Sequence, residues 1–218
     1  MGRQLRLDLD RAASHDRADF VVSACNAEAA RAVDAWPAWH GGCLALVGPA
    51  GAGKTHLARA WADQSGAVVF TADQPVAAAV DRPVLWEDAE RHLDEEALFH
   101  LINMAPTSGG LLLTARTPPA SWPARLPDLR SRLNAMQVAL LGEPDDAVLG
   151  GVLAKLFRER NIRPPEDLLP YLLRRIERSV PHAREVVHRL DEEASARHRP
   201  VTRALAREIL EDTADLFD

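Results

Sequence analysis

Residues 48–55 form a phosphate-binding loop motif, which narrows the choice of folds before any other feature does. The motif G-x-x-x-x-G-K-[ST] follows a short apolar run at 43–47 and precedes a helical pattern at 56–64. This order of strand, loop and helix favours a nucleotide site over the alternative, a glycine-rich turn without a ligand. The residues predicted to contact the nucleotide here are Gly48, Pro49, Ala50, Gly51, Ala52, Gly53, Lys54, Thr55 and His56.

Each residue type in the loop suits a charged phosphate. Glycines let backbone N–H groups converge on an anion at a helix N-terminus. Lys54 is predicted to contact the β- and γ-phosphates, and Thr55 to offer a hydroxyl to Mg²⁺. Only Lys54 and Lys155 are lysines among the 26 basic residues, and a compact ammonium suits this position.

The first two thirds of the chain alternate strands with helices, which predicts a parallel sheet with helices on both faces. The predicted strands are 43–47, 67–70, 84–86, 111–114 and 136–141. The predicted helices are 26–36, before the first strand, and 56–64 and 94–104, between later strands. The expected fold class is therefore α/β, a P-loop NTPase with a parallel five-stranded sheet and helices on both faces.

From residue 143 onward the pattern is helical only, which predicts a small all-α lid domain. Its four helices are expected at 145–160, 165–179, 182–197 and 202–213. The expected organisation is a flexible tail at 1–19, a base domain at 20–142 and the lid at 143–218.

Charge and composition exclude several classes of protein. The net charge of −6 and pI near 5.8 disfavour a sequence-specific DNA-binding protein and strong direct DNA binding. The apolar runs are too short for a membrane span, and two cysteines make no disulfide framework. We expect a soluble cytoplasmic protein without membrane contact.

Two acids end the predicted strand 84–86. A P-loop protein needs a carboxylate on a neighbouring strand, so Glu87 is predicted at the Mg²⁺ position and Asp88 at the water-activating one. The alternative is an acidic helix cap, since Glu90 and Asp94 follow closely.

Four segments together resemble a known family: GPAGAGKTHL at 48–57, the acids at 87–88, LLLTAR at 111–116 and LPDLRSRL at 126–133. With the four-helix lid, they resemble the AAA+ module of the bacterial initiator DnaA. They resemble more closely the Hda-type regulatory inactivators of DnaA, in which an AAA+ module follows a short clamp-binding tail. Neither DnaA's helix-turn-helix domain nor its helical insertion for single-stranded DNA is found in the sequence.

The resemblance implies roles for four further residues. Thr114 takes the sensor-1 position, and Arg132 takes that of an arginine finger directed at a neighbour's γ-phosphate. Arg184 takes the sensor-2 position in the lid, and Val22 lies in a stretch that packs on adenine. The alternatives are a strand-ending threonine and two exposed helical arginines.

One departure from the family concerns the metal position, where the usual aspartate is replaced by Glu87. The longer side chain is expected to disturb Mg²⁺, so we predict weak or no ATPase activity alone. ADP is the expected nucleotide, with ATP and Mg²⁺ as the other cofactors considered.

The N-terminal stretch QLRLDL at 4–9 resembles the clamp-binding peptide of Hda-type proteins. Alternating leucines place side chains on one side of an extended peptide, ready for an apolar groove. The alternative is an edge strand of the protein's own sheet. The predicted contacts with the DNA polymerase III sliding clamp (its beta subunit) are Gln4, Leu5, Leu7 and Leu9.

The predicted function is negative regulation of replication initiation. An ADP-bound chain would dock on the sliding clamp and supply Arg132 to ATP on DnaA. The alternative is an autonomous AAA+ ATPase that loads a helicase or a clamp. The sequence leaves open whether the chain forms a homodimer or a larger homo-oligomer.

Overall fold

The computed structural model describes residues 15–91 and 93–214. Its five strands form one sheet in the order β2-β3-β4-β1-β5, and every neighbouring pair is parallel. The strands are β1 Cys43–Val47, β2 Val68–Phe70, β3 Val84–Trp86, β4 Leu111–Ala115 and β5 Gln137–Leu140. The prediction of a parallel five-stranded sheet is confirmed.

The central strands are almost entirely apolar because both faces of the sheet are covered. Cys43, Ala45 and Val47 pack in one cluster, while Leu44 and Leu46 pack in the other. The first cluster is covered by α3 (Glu95–Ser108) and α4 (Pro127–Ala135), and the second by α1 (Ala27–Asp34) and α2 (Lys54–Ser65). Helices therefore lie on both faces, as predicted.

Helix α4 was not predicted as a helix. It turns only Leu129 and Leu133 into the core, so its sequence shows no continuous apolar stripe. Pro127 starts it, since a proline in the first turn lacks only an N–H that would have no helical partner.

The part after residue 145 is helical and has a core of its own. Its helices are α5 Asp146–Glu159, α6 Leu168–Leu173, α7 Val180–Ala196 and α8 Arg203–Ala214. Helix α6 is shorter than predicted: it ends at Leu173, and the chain is extended at Ser179 before α7 begins at Val180. Pro181, which the prediction placed before a helix, lies inside the first turn of α7.

Strand register determines where functional side chains meet. Thr114 of β4 lies beside Leu46 of β1, and Trp86 of β3 lies beside Leu113. The carboxyl ends of β1, β3 and β4 therefore meet at one edge, where ligands of open α/β sheets bind. Within the described part of the chain, none of the helices combines the length and apolar character needed to cross a bilayer.

Candidate nucleotide-binding site

The phosphate-binding loop leaves β1 between the ends of β4 and β5. The Gly48 N–H donates to the Ala115 carbonyl at 3.2 Å. A Cβ atom at Gly48 would lie 2.5 Å from the Leu141 carbonyl oxygen, so only glycine fits there. The loop is thus fixed at its first residue by two neighbouring strands.

The loop has a tight turn at its centre and meets the lid. Gly51 and Gly53 have φ of 75° and 96°, a region that favours glycine. The Gly51 carbonyl accepts a hydrogen bond from the Val180 N–H at 3.2 Å. Ser179 lies so close to Gly51 that a Cβ there would meet its hydroxyl at 2.5 Å. The first residue of α7 is therefore bonded directly to the loop.

Lys54 is the buried cation of the site, with 8% of its surface exposed. Its ammonium donates to the carbonyls of Gly48 at 2.7 Å and Pro49 at 2.8 Å. Burial lowers the pKa of Lys54, and the nearby Asp88 carboxylate opposes that shift. A phosphate in the loop would offer this ammonium charged acceptors, which bind more strongly than neutral carbonyls.

The two predicted metal residues are arranged differently from a metal site. Thr55 is exposed at the start of α2. Glu87, at the end of β3, receives a hydrogen bond from the guanidinium of Arg59 on α2, while its Oε1 is buried and has no hydrogen-bond partner. Arg59 occupies one carboxylate oxygen and neutralises the charge of Glu87, so Thr55 and Glu87 as arranged do not form a site for Mg²⁺.

Asp88 and Thr114 are joined by a hydrogen bond. The Asp88 N–H donates to the Thr114 hydroxyl oxygen at 3.0 Å, and Thr114 is 1% exposed. Asp88 has a φ of 47°, which is costly for a residue with a side chain, and its carboxylate lies 3.8 Å from Arg91. The predicted sensor-1 threonine therefore fixes the backbone of the predicted water-activating acid.

Arg116 and Glu90 belong to the same edge, although the sequence analysis did not single out either as a site residue. The Arg116 N–H donates to Glu90 Oε1 at 2.7 Å, and Glu90 Oε2 is buried without a hydrogen-bond partner. Both side chains act electrostatically on Lys54, Arg116 lowering its pKa and Glu90 raising it. Arg116 could have been predicted as a site residue from its position directly after β4, because ligands of such sheets bind at the carboxyl ends of the strands.

Asn26 shapes the predicted adenine-contacting stretch. Its amide donates to the Val21 carbonyl and accepts from the Ser23 N–H, both at 2.9 Å, and it is 3% exposed. These bonds form the turn that leaves Val22 49% exposed. Val21 packs against Gly151 of α5, where a Cβ would come within 2.8 Å of it.

Residues 15–19 pack on both the base domain and the lid domain, although the sequence predicted them to be part of the tail. Arg17 forms two hydrogen bonds with Asp34, at 2.6 and 2.9 Å. Asp19 lies 2.5 Å from the ammonium of Lys155 in α5. The predicted clamp contacts at 4, 5, 7 and 9 lie outside the described residues.

His56 holds this segment against α2. Its Nε2 lies 2.9 Å from the Asp16 carbonyl, and its ring packs edge-on against Phe20. Burial lowers the pKa of His56, and the bond to Asp16 opposes the shift. His56, which was predicted to contact the nucleotide, therefore also positions the segment that contains Asp16 and Phe20.

We expect stability to decrease as the pH falls below the ordinary histidine pKa of about 6.5. A histidine with a lowered pKa binds its proton more readily in the unfolded chain, so its contribution is complete at higher pH and lost on acidification. Thermal unfolding at about pH 7.5 and 5.5 measures this. His56→Gln should reduce the difference and His198→Gln, at an exposed site, should not. Equal pH dependence in wild type and His56→Gln would contradict the prediction.

The two predicted arginines with family roles lie in different places. Arg184 is exposed on α7, four residues after the bond between Val180 and the loop, or about 6 Å along the helix. Arg132 is exposed near the end of α4 and stacks over the ring of Phe99 at 5.3 Å. Arg184 is therefore near the loop, whereas Arg132 is on α4, which covers the face of the sheet opposite to the one covered by α2.

The position of Arg132 follows from the sheet. Its charge acts on Cys43, the first residue of β1, lowering a thiol pKa that burial raises to about 12. The loop begins after Val47, at the other end of the same strand. The loop leads into α2, which covers one face of the sheet, whereas α4 covers the other face, so the sheet lies between Arg132 and the helix that the loop begins.

Known proteins resemble this arrangement. No protein-family model matches the chain. The chain is 29% identical over 125 residues to the chromosomal replication initiator protein DnaA of Thermomicrobium roseum. Domain III of the Thermotoga maritima replication initiation protein DnaA superposes with a TM-score of 0.77 at 17% identity, covering 92% of this chain and 97% of that one. This chain has a DnaA-like AAA+ fold.

Other solved structures share the fold. AMPPCP-bound DnaA from Aquifex aeolicus has a TM-score of 0.66 at 17% identity, over 86% of this chain and 70% of that one. Thermotoga maritima RuvB has a TM-score of 0.70 at 15% identity, over 91% and 72%. The sequence match to the Thermomicrobium DnaA covers 57% of this chain and 27% of that protein. Among the described residues, no group of three or more histidine, cysteine or acidic side chains is arranged to hold a metal ion.

Proposed function

We propose that the chain is a replication regulator that binds an adenine nucleotide and supplies Arg132 to ATP on DnaA. The nucleotide proposed is ADP, bound by the loop amides, Lys54 and Arg184, with Val22 against the adenine. The sequence match to DnaA and the AMPPCP in a DnaA of the same fold support adenine nucleotide as the ligand. Because Thr55 and Glu87 as arranged do not form a site for Mg²⁺, the proposed function does not depend on a metal bound to this chain.

The observation that carries the proposal is the separation of Arg132 from the chain's own loop. An exposed arginine on the face of the sheet opposite α2 lies apart from the chain's own loop and is available to a second molecule. An arginine supplied in this way neutralises charge that develops on the γ-phosphate in the transition state. The ring of Phe99 supports the guanidinium and leaves its N–H edge accessible for a phosphate.

The reaction takes place on the partner. Water attacks the γ-phosphorus, the bond from that phosphorus to the β–γ bridging oxygen breaks, and the products are ADP, inorganic phosphate and a proton. Arg132 would be unchanged by the step. Converting ATP-bound DnaA to its ADP form makes the chain a negative regulator.

Recruitment to the sliding clamp is the second part of the proposal. The alternating leucines of residues 4–9 and the neutral amide of Gln4 support a groove-binding peptide. The net charge of −6 supports a protein contact rather than strong direct DNA binding as the means of recruitment.

Hydrolysis assays separate this function from that of an autonomous ATPase. We expect the chain alone to release little phosphate from ATP, and DnaA to release much more when both the chain and DNA-loaded clamp are present. Rapid hydrolysis by the chain alone, with no response from DnaA, would instead support a helicase- or clamp-loading ATPase.

We expect the variants Gln4→Ala and Leu7→Ala/Leu9→Ala to lose clamp binding. Removing the leucine side chains deletes the apolar contacts that an extended peptide makes with a groove. Fluorescence polarisation with purified clamp measures the affinity, and Arg6→Ala, between two of the leucines, is the matched control. Clamp binding that persists in both variants would show that another surface makes the contact.

A further inference from the structure

Glu87, the carboxylate at the predicted metal position, is already paired with a cation of the same chain, Arg59. Arg59 lies one helical turn after Thr55, so both side chains are on the side of α2 that faces the end of β3. From there its guanidinium binds Glu87, whose side chain is 19% exposed, against 38% for that of Arg59. A half-buried carboxylate is thus neutralised from within the chain.

From this contact we propose that Arg59 takes the place of a divalent cation at Glu87, so that the loop binds a nucleoside diphosphate without metal. The proposal rests on the nucleotide site proposed above and concerns how that site is regulated. Arg59 acts through Glu87 and not on the phosphates, so it is a positioning residue. In-subunit hydrolysis stays low because the charge of Glu87 is already neutralised by Arg59 and attracts a metal only weakly.

Charge supports metal-independent binding of a diphosphate. Lys54, Arg91 and Arg116 already place three cations at the loop edge, balanced in part by Asp88 and Glu90. A diphosphate lacks the γ-phosphate that a metal commonly bridges in P-loop proteins. The remaining positive charge and the loop amides therefore favour the ligand without a further positive ion.

Removing Arg59 should create a metal requirement. Glu87 would keep a partly buried negative charge with no partner, which is an unfavourable state. Its Oε1 has no hydrogen-bond partner in the first place, so both oxygens would then be available to an ion. Oxygen ligands of this kind suit Mg²⁺.

The test is the affinity for fluorescent ADP in EDTA and in Mg²⁺. We expect the ADP affinity of the wild type to differ less than about twofold between EDTA and Mg²⁺. Arg59→Met should bind ADP about tenfold more tightly in Mg²⁺ than in EDTA. Arg59→Lys, which keeps the charge, should behave like the wild type, and so should Arg31→Met at an exposed site on α1. Arg59→Met/Glu87→Gln should lose the Mg²⁺ response.

Glu87→Gln keeps the test decisive even if Arg59→Met does not fold. If Arg59 occupies the carboxylate, Glu87→Gln leaves the ADP affinity in Mg²⁺ unchanged. A loss in Mg²⁺ but not in EDTA, or a wild type that binds ADP only with Mg²⁺, overturns the inference and leaves the nucleotide site intact. A wild type that binds ADP in neither condition overturns the proposed function itself.

Discussion

Arg132→Ala should reduce the stimulated hydrolysis of ATP on DnaA by about 10³–10⁵-fold, the range known for arginines supplied to a partner's γ-phosphate. The loss is large because alanine removes the only positive charge that the chain is proposed to bring to the reacting phosphate. Single-turnover release of phosphate from preloaded DnaA, with chain and DNA-loaded clamp in excess, measures it.

The matched control is Arg130→Ala, an exposed arginine of the same helix. Both variants should melt close to the wild type, because α4 enters the core through Leu129 and Leu133, while an exposed contact such as that of Arg132 with Phe99 contributes only about 0.5–1 kcal/mol. Both should also keep wild-type affinity for ADP. If Arg132→Ala melts at a clearly lower temperature than the wild type or no longer binds ADP, Arg132 is structural and its assignment as an arginine finger is wrong.

Lys54→Ala should weaken ADP binding by about a hundredfold, because a hydrogen bond from a charged group contributes roughly 1.5–3 kcal/mol. Lys54 is buried within the loop, so no neighbouring cation can move into its place without displacing the loop carbonyls that it now contacts. Titration of fluorescent ADP measures the change.

Lys155→Ala is the control, since it removes the only other lysine of the chain. Its ion pair with Asp19 is partly exposed, and such pairs contribute about 0–1 kcal/mol, so ADP affinity should change less than tenfold. Equal affinity for ADP in wild type and Lys54→Ala would exclude the loop as the phosphate site.

The sheet was predictable because its strands are short apolar runs between clear breaks. The bounds predicted for β1 and β3 are those observed, because a strand buried on both faces consists mostly of apolar residues and stands out from its polar flanks. The loop was predictable for a related reason, because its glycines and lysine are required at fixed spacing. Helix α4 lacked such a signal, since only two of its side chains face the core.

Contacts between distant segments were not predictable in the same way. Arg59 and Glu87 are separated by 28 residues, and nothing local in either stretch indicates that they meet. Their pairing depends on how α2 and β3 pack, which follows from the whole fold. Asn26 was missed for another reason: its bonds to Val21 and Ser23 are local, but its residue type resembles that of any polar residue before a helix.

The hydrogen bond from the Val180 N–H to the Gly51 carbonyl joins the first residue of α7 to the phosphate-binding loop, so a change in the loop tilts the helix from that end. The helix has 17 residues and extends about 25 Å from that bond. A tilt of a few degrees at the loop therefore displaces the distant end of α7 by more than an ångström. Whatever ligand changes the shape of the loop thereby changes the surface that the far end of the lid presents to other molecules.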